Sequence, residues 1–108
     1  MEIKETAKYC IIMPISPKLG NREVSRLSSE IRKYKTPIAI DMSLVKDCTI
    51  EFINLIKDIT NLSLFNINSD IFALLISMNL DKTLKLFVSE NDFQNNKHQL
   101  LNRKFCIV

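Results

Sequence analysis

Pro37-Ile38-Ala39-Ile40-Asp41-Met42-Ser43, then Leu44-Val45-Lys46-Asp47-Cys48-Thr49, then residues 50–59 form the stretch around which the chain is organised. The first part is a brief apolar run opened by Pro37. Proline has no amide hydrogen to donate and suits the start of a strand. The last part places Ile50, Ile53, Ile56 and Ile59 at three-residue steps, with Phe52 and Leu55 on the shoulders, as an amphipathic helix requires. Between them Asp47 and Thr49 are both N-cap candidates. The reading is strand, polar turn, helix. Exposed polar chemistry is expected at that turn, where backbone N–H groups lack intrahelical partners.

The flanking segments repeat the pattern. Residues 2–4 read as a short edge strand and residues 8–15 as a strong strand, with Pro14 marking an edge or an end. Residues 16–21 are a loop. Asn21 is expected to cap a helix running to Tyr34, with Val24, Leu27, Ile31 and Tyr34 along one face. Asn61 ends the central helix, and residues 62–67 are another strand. Asn68-Ser69-Asp70 caps a helix from Ile71 to about Leu80, whose core stripe is Ile71, Leu74, Leu75 and Met78. Residues 83–88 are a strand. Ser89-Glu90-Asn91-Asp92 resembles a capping box and opens a polar last helix. Residues 104–108 close the chain as a strand. The alternation predicts an α/β domain: a mixed sheet of about four to six strands, with about four helices packed mainly on one face.

At 108 residues the chain reads as one domain, residues 1–108, and its 46% hydrophobic content supplies one core. The net charge of +3 is mild, with Lys and Arg spread among acids, so no nucleic-acid stripe is expected. Cys10, Cys48 and Cys106 are an odd number with no close pair. That argues against a disulfide framework and against zinc, and for a reducing compartment. Cys10 and Cys106 lie in apolar runs as inert thiols. The charged start is neither a signal peptide nor a span, and no segment has the length to cross a bilayer. A cytoplasmic protein is expected. With a single glycine, Gly-rich phosphate loops are excluded, and no cofactor is expected.

Several ordered patterns resemble the STAS domain, the domain of anti-sigma factor antagonists also found on sulfate transporters. Ser16-Pro17-Lys18-Leu19 stands where that family often has Ser-Gly-x-Leu. Ile40-Asp41-Met42-Ser43-Leu44-Val45 is similar to its Leu-Asp-Leu-Ser-x-Val strand. Asn66-Ile67-Asn68-Ser69-Asp70-Ile71, running through Leu74-Leu75 to Asn79-Leu80-Asp81-Lys82, is similar to its Asn-Leu-Ser-x-x-Val…Val-Leu…Gly-Leu-Asp segment. Phe87-Val88-Ser89-Glu90 resembles the strand and cap before its last helix. The resemblance covers nearly the whole chain and implies a non-enzymatic signalling protein. Its partner would be an anti-sigma factor or a related kinase-like protein, bound around the turn and the following helix. Asp47, Cys48, Thr49, Glu51, Phe52 and Asn54 are the implied contacts. A homodimer is compatible with this reading.

The departure lies at the turn itself. The family carries Asp-Ser-Ser-Gly there, with one serine phosphorylated; this chain has Asp47-Cys48-Thr49-Ile50-Glu51-Phe52. Two registers are open. With a two-residue deletion after Val45, Asp47 aligns with the aspartate and Thr49 becomes the acceptor. Without a gap, Thr49 replaces the aspartate, Ile50 and Glu51 replace the serines, and Glu51 supplies a fixed negative charge. Phosphate on Thr49 would add about −1.5 to −2 charges beside a helix start. It would repel an acidic partner surface and resist desolvation against an apolar one. The bland alternative is that Thr49 or Asp47 is only a cap, contributing about 1 kcal/mol.

Other chemistry is thin. Cys48 stands near a helix start, but the sequence places no His or Lys to activate it. His98 is the only histidine and reads as a surface residue of a polar helix, not a catalytic group or metal ligand. Asp41 and Asp47 could pose as paired carboxylates, without any further acid–base group; the resemblance makes Asp41 a strand-end residue. Phe72 and Ile76 project off the expected core stripe. They form a second candidate interface, unless a neighbouring element covers them. Two rival functions are an accessory subunit of a transport complex, independent of phosphate, and a small enzyme using Cys48 or Asp47.

Overall fold

The computed structural model describes residues 1–59 and 62–95. Its strands are β1 (Glu2–Glu5), β2 (Cys10–Met13), β3 (Lys18–Leu19), β4 (Ile38–Asp41), β5 (Asp47–Cys48), β6 (Ser63–Phe65) and β7 (Lys85–Phe87). Its helices are α1 (Asn21–Ile31), α2 (Ile50–Lys57), α3 (Ser69–Ser77) and α4 (Glu90–Gln94), with a 3-10 turn at Leu80–Lys82. Five strands make one mixed sheet in the order β1-β2-β4-β6-β7. β1 runs antiparallel to β2, and the other pairings are parallel. The fold is the α/β class expected, with a mixed sheet and four helices.

Alternation along the strands explains the layering. Cys10, Ile12, Ile38, Ile40, Leu64 and Leu86 point to one face and join the main core with Leu27 of α1, Phe52, Ile53 and Ile56 of α2, and Ile71 and Leu75 of α3. Ile11, Ala39, Phe65 and Phe87 point the other way into a smaller cluster, closed by Tyr9 and by Phe93 of α4. Phe93 meets Phe65 in a stacked arrangement at 5.7 Å, and Tyr9 and Phe87 edge-on at 5.1 and 5.4 Å. Three helices on one face and a short one on the other match the expected one-sided packing.

Four expectations need correction. First, α1 is capped by Gly20, not Asn21; the Glu23 carboxylate accepts the Gly20 N–H at 3.0 Å. The helix ends at Ile31, where Lys33 N–H turns back to the Glu30 carbonyl, and Tyr34 packs against the core from beyond the end. Second, of the two candidate caps for α2, Thr49 is the one used, and Asp47 lies in β5. Third, the apolar stripe of α2 is rotated. Phe52 is fully buried with Ile53 and Ile56, while Ile50 is 61% exposed. Fourth, α3 faces the sheet with Ile71, Phe72 and Leu75, leaving Leu74 and Met78 exposed and Ile76 half-buried. From Ile71 to Ile76 every side chain of α3 is apolar, so spacing alone could not choose its inner side. α3 stops at Ser77 because Asn79 takes a left-handed backbone, φ 60°, before the 3-10 turn.

The β3–β5 pair was not foreseen. Lys18 stands opposite Asp47 and Leu19 opposite Cys48, in a two-residue parallel ladder inside stretches that read as loop and turn. The expectations for Asn61, His98, Cys106 and the strand at 104–108 lie outside the described residues.

Candidate functional site

Strands β2, β4, β6 and β7 run in one direction, so the helices that follow them all start at the carboxyl edge of the sheet. Ligands and partners of open parallel sheets meet this edge most often. Between β4 and β5 the chain drops Met42 and Val45 into the core, at 1% and 2% exposure. A turn closed by the Val45 N–H on the Met42 carbonyl at 3.1 Å leaves Ser43 and Leu44 exposed, as is Lys46 after it. The loop is therefore anchored by two apolar plugs and offers its remaining side chains outward.

Hydrogen bonds fix this corner from three sides. Asp41 Oδ1 accepts from the Ser43 N–H and from Asn66 Nδ2, both at 3.0 Å. Pro17 O accepts from Lys46 N–H at 2.8 Å and Asp47 N–H at 3.0 Å. Asn68 caps α3 through Oδ1, accepting from Ile71 N–H at 2.8 Å. Its amide donates to the Val45 and Lys46 carbonyls at 3.3 and 3.1 Å. The start of α3 thus holds the turn that precedes α2.

Thr49 is bound in both directions. Its hydroxyl donates to the Leu19 carbonyl and accepts from Phe52 N–H at 3.4 Å. Its side chain is half-buried between β3 and the first turn of α2. A phosphoryl acceptor needs a hydroxyl presented to the incoming phosphate; this one is spent on the backbone. Ile50 and Glu51 instead occupy the first turn of α2, with the Glu51 carboxylate near the positive end of the helix dipole.

No family model matches this chain, and no curated protein matches it.

Of the residues proposed as contacts, Asp47 and Asn54 are exposed, and Glu51, Cys48 and Thr49 are half-buried. Phe52 has no exposure and cannot touch a partner in this conformation. Phe72 is 5% exposed and Ile76 is half-buried against the core, and both line an open cleft with Ser69, Ala73 and Ser77. Spacing missed the two apolar side chains that the corner does present, Ile50 and Leu44, exposed by 61% and 44%. Ile50 sat on the expected core stripe, and Leu44 had no distinguishing neighbour.

Burial pushes the Cys48 thiol up to about 12, aided by the adjacent Asp47 carboxylate. Nearly all of it is protonated at neutral pH, which is the wrong state for a nucleophile. Burial likewise raises Cys10, with Glu5 and Glu30 adding to it. Alkylation of the folded protein at pH 8, read by peptide mass mapping, should leave Cys48 and Cys10 unmodified until denaturant is added. Rapid labelling of Cys48 in the native state would contradict this. A cleft of about 390 Å³ lies on the other face, lined by Ile11, Met13, Asp41 and Glu90 among others, and is bridged by the Lys4–Glu90 ion pair at 3.1 Å. Among the described residues no group of His, Cys, Asp and Glu could hold a metal ion. None of the described helices is long and apolar enough to cross a membrane.

Proposed function

We propose that this chain is a non-enzymatic protein-binding module of the anti-sigma factor antagonist type, docking through residues 44–54. The observation that carries this reading is Ile50. It is an isoleucine at the first position of a helix, 61% exposed, on a corner that three sets of hydrogen bonds hold rigid. A large aliphatic side chain on a fixed support is an inexpensive anchor, because little conformational freedom remains to be lost on binding. Leu44, Asp47 and Asn54, all exposed on the same segment, offer one apolar and two polar side chains besides it. The ordered motifs of the STAS resemblance point to an anti-sigma factor or a related kinase-like signalling protein as the partner.

The engagement of the Thr49 hydroxyl favours a module whose charge is fixed by Glu51 and Asp47 over one gated by phosphate on Thr49. In the gapless register, Glu51 stands where the family carries a serine. A permanent carboxylate there supplies part of the charge that a phosphate would bring and take away.

Affinity capture from native lysate with the wild-type chain and with Ile50→Asp tests this. The wild-type bait should retain a kinase-like signalling protein, and Ile50→Asp should lose it, with at least about a tenfold drop in affinity. The isolated chain should carry no phosphate on Thr49. Equal retention by both baits would refute the corner, and a stoichiometric Thr49 phosphate would refute fixed charge.

A further inference from the structure

Residues 18–35 carry six Lys and Arg against two Glu, a net charge of +4, while the whole chain is +3. Helix α1 then separates these charges. Its inner side takes Leu27, with Val24 and Ile31 packed against the core. Glu23 is turned back onto the Gly20 N–H, and Glu30 is half-buried with Lys33 Nζ at 2.9 Å. The outer side presents Arg22, Ser25, Arg26, Ser29, Arg32 and Lys33, all exposed. Among the described residues only two ion pairs form, Lys4–Glu90 and Lys33–Glu30, so Arg22, Arg26 and Arg32 are unpaired. A composition that looks mixed along the chain becomes one-signed on this face.

We propose that the outer face of α1 binds an acidic helix of a protein partner. Arg22 and Arg26 are four residues apart, about 6 Å along the axis. Carboxylates at i and i+4 on another helix repeat at the same step, and each guanidinium fork can take one carboxylate through two hydrogen bonds. Ser25 between them can donate to a further acceptor, whereas the Ser29 hydroxyl already donates to the Ser25 carbonyl at 3.1 Å. The six outer residues include no aromatic ring to stack on a base and no apolar side chain to enter a bilayer, which favours a carboxylate partner over nucleic acid or lipid. The β3–β5 ladder pairs the residues just before α1 with those just before α2, so the two helices start from adjacent strands. The inference stands on the charges of α1 and does not require the docking role of Ile50.

Fluorescence anisotropy with a labelled helical peptide of about 20 residues, bearing Glu at i and i+4 along one face, tests it at low salt. Arg22→Gln/Arg26→Gln should weaken binding about tenfold or more. Lys82→Gln/Lys85→Gln removes the same charge from exposed positions elsewhere and should change it little. Equal loss in the two double variants would reduce the effect to net charge and overturn the proposal, as would no measurable binding by wild type. Tighter binding of a DNA duplex or of phosphatidylserine vesicles through the same two arginines would also overturn it.

Discussion

Phe52→Ala is expected to destabilise the protein by about 3–5 kcal/mol. Phe52 is fully buried and lies in the cluster that joins α2 to the sheet. Alanine would leave a void that Ile53 and Ile56 cannot fill, because both are already packed in the same cluster. A domain of this size has only about 5–15 kcal/mol in total, so the loss is a large share of it. Chemical denaturation should show a lower midpoint with an unchanged slope. A shift below about 1.5 kcal/mol would mean that the side chain is not packed as described. The result also separates two roles: Phe52 was expected to meet a partner, and the structure gives it to the core.

Asn68→Ala should cost about 2–3 kcal/mol. The cap of α3 accounts for about 1 kcal/mol. The two side-chain bonds to the Val45 and Lys46 carbonyls add about 1 kcal/mol each, less where solvent replaces them. Asn68→Asp retains an oxygen for the Ile71 N–H and loses both amide donors, so it should recover the cap alone. If Asn68→Asp matches wild type, the turn is not held from α3. If Asn68→Ala falls below about 1 kcal/mol, only the cap matters. Because those carbonyls belong to the turn that carries Leu44 and leads to Thr49, Asn68→Ala should also loosen the corner that presents Ile50.

Much of this architecture was legible in the sequence for identifiable reasons. β4 reads from Pro37 and its short apolar run, and the caps Asn68 and Ser89 read from residue type and position. These signals are local: a cap satisfies an orphan amide within its own turn. What failed was orientation. Ile50 and Phe52 are both apolar and both fit a helical stripe; only the packing of α2 decides which one is buried. The same holds for Leu74 and Met78 against Phe72 in α3. The β3–β5 ladder is two residues long and leaves no period to read. At the candidate site, residue type offered Asp47 and Thr49 as caps without choosing between them, and the structure uses Thr49. The bond from its hydroxyl to Leu19, thirty positions away, had no signal in the local sequence. That bond moves the reading from phosphate control toward fixed charge.

Hydrogen–deuterium exchange of the chain, alone and with the purified partner recovered by the wild-type bait, tests the docking corner most directly. Peptides covering residues 44–54 should gain protection in the complex, and the gain should vanish with Ile50→Asp. Protection confined to β1 and the cleft beside Glu90, with residues 44–54 unchanged, would contradict the account.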